Sequence, residues 1–190
     1  MSNIFIISAP SGCGKTSLLK ELCRTYSFLT QTISYTTRTI RDGEVDGSDY
    51  HFITADKFIE KKNNNDFIES QKVYNNYYGT SYKSIRNILD SGKDAILEID
   101  YKGMLLIKSK IPTSRSIYIL PPSIEDLEKR LLERGLDSKD VIYNRVSKAY
   151  DELKFAKFAD YTVTNDNFSV ASKSLKSIIL YSKIDKKFSS

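Results

Sequence analysis

Eight residues near the amino terminus, Ala9-Pro10-Ser11-Gly12-Cys13-Gly14-Lys15-Thr16, have the types and spacing to hold a phosphate group. Gly12 and Gly14 permit backbone angles closed to other residues and let N–H groups approach an anion closely. A helix opening near Lys15 adds free N–H donors and a partial positive charge. Lys15 can reach the terminal phosphates of a nucleoside triphosphate, and the Thr16 hydroxyl can ligate the magnesium ion that travels with one. The motif is usually written with glycine first; Ala9 stands there, and a small side chain keeps the turn compact.

The flanks supply the context that a phosphate-binding loop requires. Ile4-Phe5-Ile6-Ile7 reads as a strand, and residues 17–22 have helical periodicity. The expected helix covers 14–26. A β-prone, hydroxyl-rich stretch over 31–38 leads into a polar loop over 39–47 with two glycines. Residues 49–53 read as a short strand, and Thr54 as the N-cap of a helix over 55–62. Short strands are expected at 67–69 and 73–74, and a turn or sheet edge at 77–80. The region from 33 to 83 therefore reads as a small α+β lobe inserted into a larger domain.

A helix over 81–91 returns the chain to that domain. The apolar run over 95–100 reads as a buried parallel strand, and period two places Glu98 and Asp100 on one face near its carboxyl end. In open α/β sheets that end is where ligands bind. A helix over 103–108 and a strand over 116–120 follow. Ser123 with Asp126 forms a capping box for a helix over 124–133, on which Leu127, Leu131 and Leu132 share a face and Gly135 is the stop. A helix over 139–158, a strand over 161–164, a helix over 170–181 and a frayed tail over 183–190 complete the chain. Strands alternating with helices around such a loop predict an α/β, doubly wound parallel sheet.

Composition narrows the function classes. The 190 residues suffice for one domain with a proper core. The net charge of +5 is spread over scattered lysines rather than one block, which favours a solvated surface and phosphate ligands over nucleic acid. No apolar run approaches membrane-spanning length. The first strand is expected to start almost at once, so no signal peptide is expected. Cys13 and Cys23 are separated by roughly 15 Å if the segment is helical, too far for a disulfide. A cytoplasmic protein is expected. Cys13, at a helix N-terminus, is a candidate for a lowered thiol pKa, so its alkylation would block activity. His51, the single histidine, reads as structural.

Beyond the phosphate loop, a further set of residues forms a specific pattern. It comprises Ser34-Tyr35-Thr36-Thr37-Arg38-Thr39, Arg41, Gly43-Glu44-Val45, Asp49-Tyr50, Phe67-Ile68-Glu69 and Asn76-Tyr77-Tyr78-Gly79-Thr80. Ile99-Asp100 with Gly103, Pro121-Pro122-Ser123, Arg130, Arg134-Gly135, Arg145 and Asn165-Asp166 extend it. Together these residues resemble the guanylate kinases over nearly the whole chain. The resemblance implies a single domain with a core (1–32, 84–123, 158–190), a GMP-binding lobe (33–83) and a helical lid (124–157). It implies transfer of the γ-phosphate of ATP to GMP or dGMP with magnesium, by a monomer or homodimer that engages neither nucleic acid nor membrane. Ala9, Pro10, Ser11, Gly12, Cys13, Gly14, Lys15, Thr16, Asn165 and Asp166 would serve ATP.

On the acceptor side the resemblance places Arg38, Arg41, Tyr50 and Tyr78 on the GMP phosphate, with Glu44 supporting the arginines. Ser34, Glu69, Thr80 and Asp100 would choose the base. A carboxylate only accepts hydrogen bonds, so Glu69 rewards the donors on guanine's Watson–Crick edge and repels the acceptor that adenine puts there. Lys15, Arg130, Arg134 and Arg145 would act on the transferring phosphate. Thr16 would ligate magnesium, with Glu98 and Asp100 acting through water. Two alternatives stay open: a catalytically inactive guanylate-kinase-like protein-binding module, and a kinase for another nucleoside monophosphate. No Asn-Lys-x-Asp guanine motif of the P-loop GTPases is present.

Overall fold

The computed structural model describes residues 2–73, 75–135 and 138–188. Its centre is a five-stranded sheet of β1 (Ile4–Ser8), β2 (Leu29–Gln31), β7 (Asp94–Glu98), β8 (Arg115–Leu120) and β9 (Tyr161–Thr164). The spatial order is β2-β7-β1-β8-β9 and every pairing is parallel. Both faces are covered, which is why the central strands β1, β7 and β8 carry continuous apolar runs rather than alternating, while the outer β2 and β9 are more polar. Phe5 and Ile7 point to one face and pack with Leu18, Leu19 and Leu22 of helix α1 (Lys15–Thr25), all five fully buried. Ile6 points to the other and packs with Met104 and Ile107 of α4 (Tyr101–Lys110). Each such side chain contributes about 1.5–3 kcal/mol by leaving water. The face carrying α1 is completed by α5 (Ile124–Arg134), α6 (Lys139–Leu153) and α7 (Phe168–Phe188).

Between β2 and β7 the chain builds a second sheet, ordered β4-β3-β6-β5, from β3 (Tyr35–Thr36), β4 (His51–Phe52), β5 (Phe67–Val73) and β6 (Asn76–Ser81). Helix α2 (Ala55–Asn63) packs on it through Phe58, which stacks on Phe67 and Tyr77. Helix α3 (Tyr82–Asp90) then leads back to the central sheet. The 31–38 stretch expected as one β-prone unit is thus divided: Gln31 ends a strand of the central sheet and Tyr35 begins one of the small sheet.

Several sequence expectations are corrected. Residues 77–80 are not a turn or edge but the middle of β6, paired on both sides by β3 and β5. Gly79 is there for space: an added Cβ would lie 3.0 Å from Phe58 and 3.1 Å from Phe67. The two short strands expected at 67–69 and 73–74 are the single strand β5; Tyr74 lies outside the described residues. Asp100 lies beyond β7 and caps α4, accepting from the Gly103 N–H at 2.9 Å. Leu132 is 49% exposed, while Leu127 and Leu131 alone take the core-facing positions expected of all three. Helix α6 stops at Leu153, and residues 156–158 form a separate 3-10 turn. The tail expected to fray continues α7 to Phe188, held in part by the Lys183–Asp94 ion pair.

Candidate active site

The phosphate loop joins β1 to α1. Gly12 and Gly14 have φ of +94° and +79°, a region in which a Cβ is strained. Gly14 is the N-cap of α1, and no side chain caps that helix. Helices α2, α3, α4 and α5 are capped by Thr54, Ser81, Asp100 and Ser123. The first-turn N–H groups of α1 are therefore left without side-chain acceptors, as an anion site requires. Asn165, 5% exposed at the end of β9, donates its amide to the Cys13 carbonyl at 2.8 Å. That contact ties the end of β9 to the loop. Asp166 is exposed, and its carbonyl accepts from Arg130 at 3.4 Å. Arg145 reaches from α6 to the Ser11 hydroxyl, also at 3.4 Å. The side chain of Arg134 lies outside the described residues.

Cys13 corrects an expectation. It is 1% exposed and faces the core rather than the loop's mouth. Burial pushes its thiol up to about 12, against the lowering influence of Lys15 and Arg130. The helix N-terminus does not activate it, because desolvation of the thiolate outweighs the nearby positive charge.

The two carboxylates expected on one strand face are directed to different places. Glu98, the last residue of β7, turns toward α1. Its Oε1 accepts from the Thr16 hydroxyl at 2.7 Å and its Oε2 from the Gln31 amide at 2.8 Å. Asp100 turns toward the small sheet, where its Oδ1 accepts from Gln71 at 2.7 Å. Lys15 bridges the gap by donating to the Ile99 carbonyl at 3.4 Å. Gln31 and Gln71 carried no signal in the sequence, since an uncharged amide in a strand has no motif.

The small sheet presents two groups of polar residues. In the first, Glu44 organises the arginine loop. It accepts from the Arg38 guanidinium at 2.7 Å and from the Arg41 N–H at 2.8 Å. The Arg38 hydrogen bond holds the Glu44 carboxyl below its ordinary value. Burial works against the charge on Arg38, but Glu44 outweighs it and raises the guanidinium pKa. Arg38 also lies 5.6 Å from the ring centres of Tyr50 and Phe52, and Tyr50 meets Tyr78 edge-on at 6.0 Å. Burial, then the charge of Glu98, pushes the Tyr50 phenol up to about 12, so it remains a donor. The exposed Arg41 side chain completes this cationic, hydroxyl-bearing patch.

The second group is a chain of three acceptors and donors. Thr80 donates to Glu69 Oε1 at 2.7 Å, and Ser34 lies 3.1 Å from Thr80. A hydroxyl has one proton, so with Thr80's spent on Glu69 it is Ser34 that donates to Thr80. A β-bulge between Phe67 and Glu69 sets the pairing Glu69↔Thr80. The extra residue lets Phe67, Ile68 and Glu69 all be buried, each in a different environment. Phe67 enters the aromatic cluster, Ile68 the core under α4, and Glu69 the acceptor chain. Burial raises the Glu69 carboxyl to about 7; Thr80 opposes the rise and the charge of Asp100 adds to it.

A phosphate loop on a parallel sheet, faced by a cationic lobe with a buried acceptor beside it, defines a P-loop kinase. Comparison with known proteins narrows the class. Residues 1–182 match the guanylate kinase family model. The chain is 43% identical over 184 residues to a guanylate kinase of Pseudomonas fluorescens, covering 97% of this chain and 89% of that one. It is 47% identical over 178 residues to one of Psychrobacter arcticus, covering 94% and 86%. The crystal structure of guanylate kinase from Anaplasma phagocytophilum superposes with a TM-score of 0.77 at 27% identity, covering 95% of this chain and 85% of that one. The chain belongs to the guanylate kinase family.

Proposed function

We propose that this chain phosphorylates GMP, and dGMP, with ATP. The observation that carries the reading is the Ser34–Thr80–Glu69 chain, a buried acceptor at 5% exposure placed beside the Arg38–Glu44–Tyr50–Tyr78 patch. Guanine presents adjacent N–H donors to such an acceptor; adenine presents an acceptor of its own. The second pKa of a nucleotide phosphate is near 6, so the acceptor phosphate is largely dianionic at neutral pH and needs no general base. It needs cations and hydroxyls that hold it in line with the donor phosphate. Arg38, Arg41, Tyr50 and Tyr78 serve that end. Those contacts fall on base and phosphate and none on the ribose 2′-hydroxyl, so dGMP should be accepted as well as GMP.

On the donor side the loop N–H groups and Lys15 hold the ATP phosphates. Arg130, Arg134 and Arg145, on the two helices over the loop, neutralise charge as the phosphoryl group moves and exclude water. Magnesium suits the oxygen donors present. Thr16 and Glu98 would hold it, and among the described residues no group of three or more His, Cys, Asp or Glu could cage a metal without a nucleotide. When bound, the ion supplies charge neutralisation between the donor phosphates. Asp100, bonded to Gln71, belongs on the acceptor side with Glu69. Both cysteines are free thiols, which fits a reducing cytoplasm. Among the described residues no helix is long and apolar enough to cross a membrane.

The test is an ADP-release assay with ATP, magnesium and each of GMP, AMP, CMP and UMP, run beside Lys15→Ala. Turnover with GMP alone, lost in the variant, is expected. Turnover with another monophosphate refutes the role of Glu69. Tight GMP binding without turnover identifies a binding module instead.

A further inference from the structure

We propose that Gln31 is a positioning residue for the donor side: its amide fixes the plane of the Glu98 carboxylate, and Glu98 in turn directs the Thr16 hydroxyl. The inference rests on the phosphoryl-transfer reading of the loop and adds to it a residue that lies outside every motif.

The geometry is built into the sheet. Gln31 is the last residue of β2 and pairs with Ile96 of β7. Glu98 lies two residues beyond Ile96, on the same face of the strand. A side chain of glutamine's length reaches that diagonal, and its Nε2 stands 2.8 Å from Glu98 Oε2. The carboxylate can only accept, so the nitrogen end of the amide is the end that faces it. The backbone behind Gln31 is held: the Thr32 N–H donates to the Ile96 carbonyl at 2.8 Å and the Thr32 hydroxyl to the same oxygen at 3.3 Å.

Glu98 is anchored at both ends. Gln31 holds Oε2 and the Thr16 hydroxyl donates to Oε1 at 2.7 Å. With one anchor the carboxylate turns freely about its last bond; with two on opposite oxygens its plane is set. Once Thr16's single proton is committed to Glu98, only its oxygen lone pairs remain, and these suit a hard cation. An amide does this without adding charge. A lysine or arginine at position 31 would neutralise Glu98 and weaken its pull on both the hydroxyl and a cation. Partners one shell away from a metal's ligands typically change metal affinity about 10–100-fold when removed.

The experiment is a magnesium titration of ADP binding, followed by calorimetry. It compares the wild type, Gln31→Met, Gln31→Asn, Glu98→Gln and the double variant Gln31→Met/Glu98→Gln. Methionine keeps the length without a donor. Asparagine keeps the donor one methylene short, which guards against a folding defect peculiar to methionine. In both Gln31 variants, ADP affinity without magnesium and GMP affinity are expected to be unchanged. The magnesium concentration for half-maximal tightening of ADP should rise about 10–100-fold. The double variant should be no worse than Glu98→Gln, because Gln31 acts through Glu98. An unchanged magnesium midpoint in Gln31→Met, or losses that add in the double variant, overturns the assignment. Failure of the wild type to form ADP from ATP and GMP would overturn the phosphoryl-transfer reading instead. The magnesium and ADP comparison would still decide the role of Gln31.

Discussion

Folding makes the Glu69 charge costly, and guanine should recover part of that cost. Burial raises the carboxyl from 4.5 to about 7. At about 1.4 kcal/mol per unit, keeping it ionised in the ligand-free chain costs about 3 kcal/mol. The folded pKa lies above the unfolded one, so the folded chain holds the proton more tightly. The group's contribution to stability is full below about 4.5 and is lost as the pH rises through about 7. GMP binding runs the other way, since guanine's donors need the ionised form. About one chain in ten is ionised at pH 6 and about nine in ten at pH 8, so Glu69 alone should weaken GMP binding about tenfold at pH 6 relative to pH 8. The GMP phosphate also takes up a proton near pH 6. Glu69→Gln, which keeps the phosphate term and removes the carboxylate, isolates the difference. At pH 8 that variant should bind GMP about 1–3 kcal/mol more weakly, with ADP unaffected, and be more stable to denaturant by up to about 3 kcal/mol. The assay is calorimetric GMP binding from pH 6 to 8.5 with urea unfolding beside it. Wild-type and Glu69→Gln curves that run parallel across that range would refute both the titration and the guanine contact.

Other consequences follow from individual contacts. Glu44→Gln removes the charged partner of Arg38, in a pair only 13% and 21% exposed. It should raise KM for GMP about tenfold, with KM for ATP unchanged in steady-state kinetics. Cys13, buried with its thiol at about 12, should resist iodoacetamide at pH 8 until the chain is unfolded; mass spectrometry of native and urea-treated protein would read this directly. Gly12→Ala adds strain at φ +94° and a Cβ 2.9 Å from Leu127. It should cost about 1–3 kcal/mol, seen as a fall of several degrees in Tm by calorimetry.

What was legible in the sequence was local. The phosphate loop declares itself because strand, glycines, Lys-Thr and helix are contiguous, and each is needed where it stands. Ser123 and Thr54 were readable as caps for the same reason: the hydroxyl and the N–H it accepts from lie three residues apart. Gly79 misled because glycine punctuates turns more often than it makes room for rings. Two phenylalanines that are distant in sequence, Phe58 and Phe67, decide that position. The bulge at Glu69 left no trace either. It exists because three consecutive side chains find three separate buried environments, a property of the assembled lobe.

The clearest illegible feature is the separation of Glu98 from Asp100. Period two is a correct rule for a strand, and it fails here because β7 ends at Glu98. Strand length is a tertiary matter: β7 runs as far as its neighbours β1 and β2 pair with it, through Ile7↔Glu98 and Gln31↔Ile96. Two residues later the chain must start α4, and Asp100 is taken as its cap. That change of direction turns one carboxylate toward Thr16 and the other toward Gln71. An end of a strand is thus where one short sequence can face two parts of the fold. The carboxylates are too close in sequence to be assigned by spacing, but each acquires an amide partner from a different sheet. In the proposed reading Gln31 marks the donor side and Gln71 the acceptor side, so those neutral neighbours, rather than the acids themselves, would distinguish the two roles.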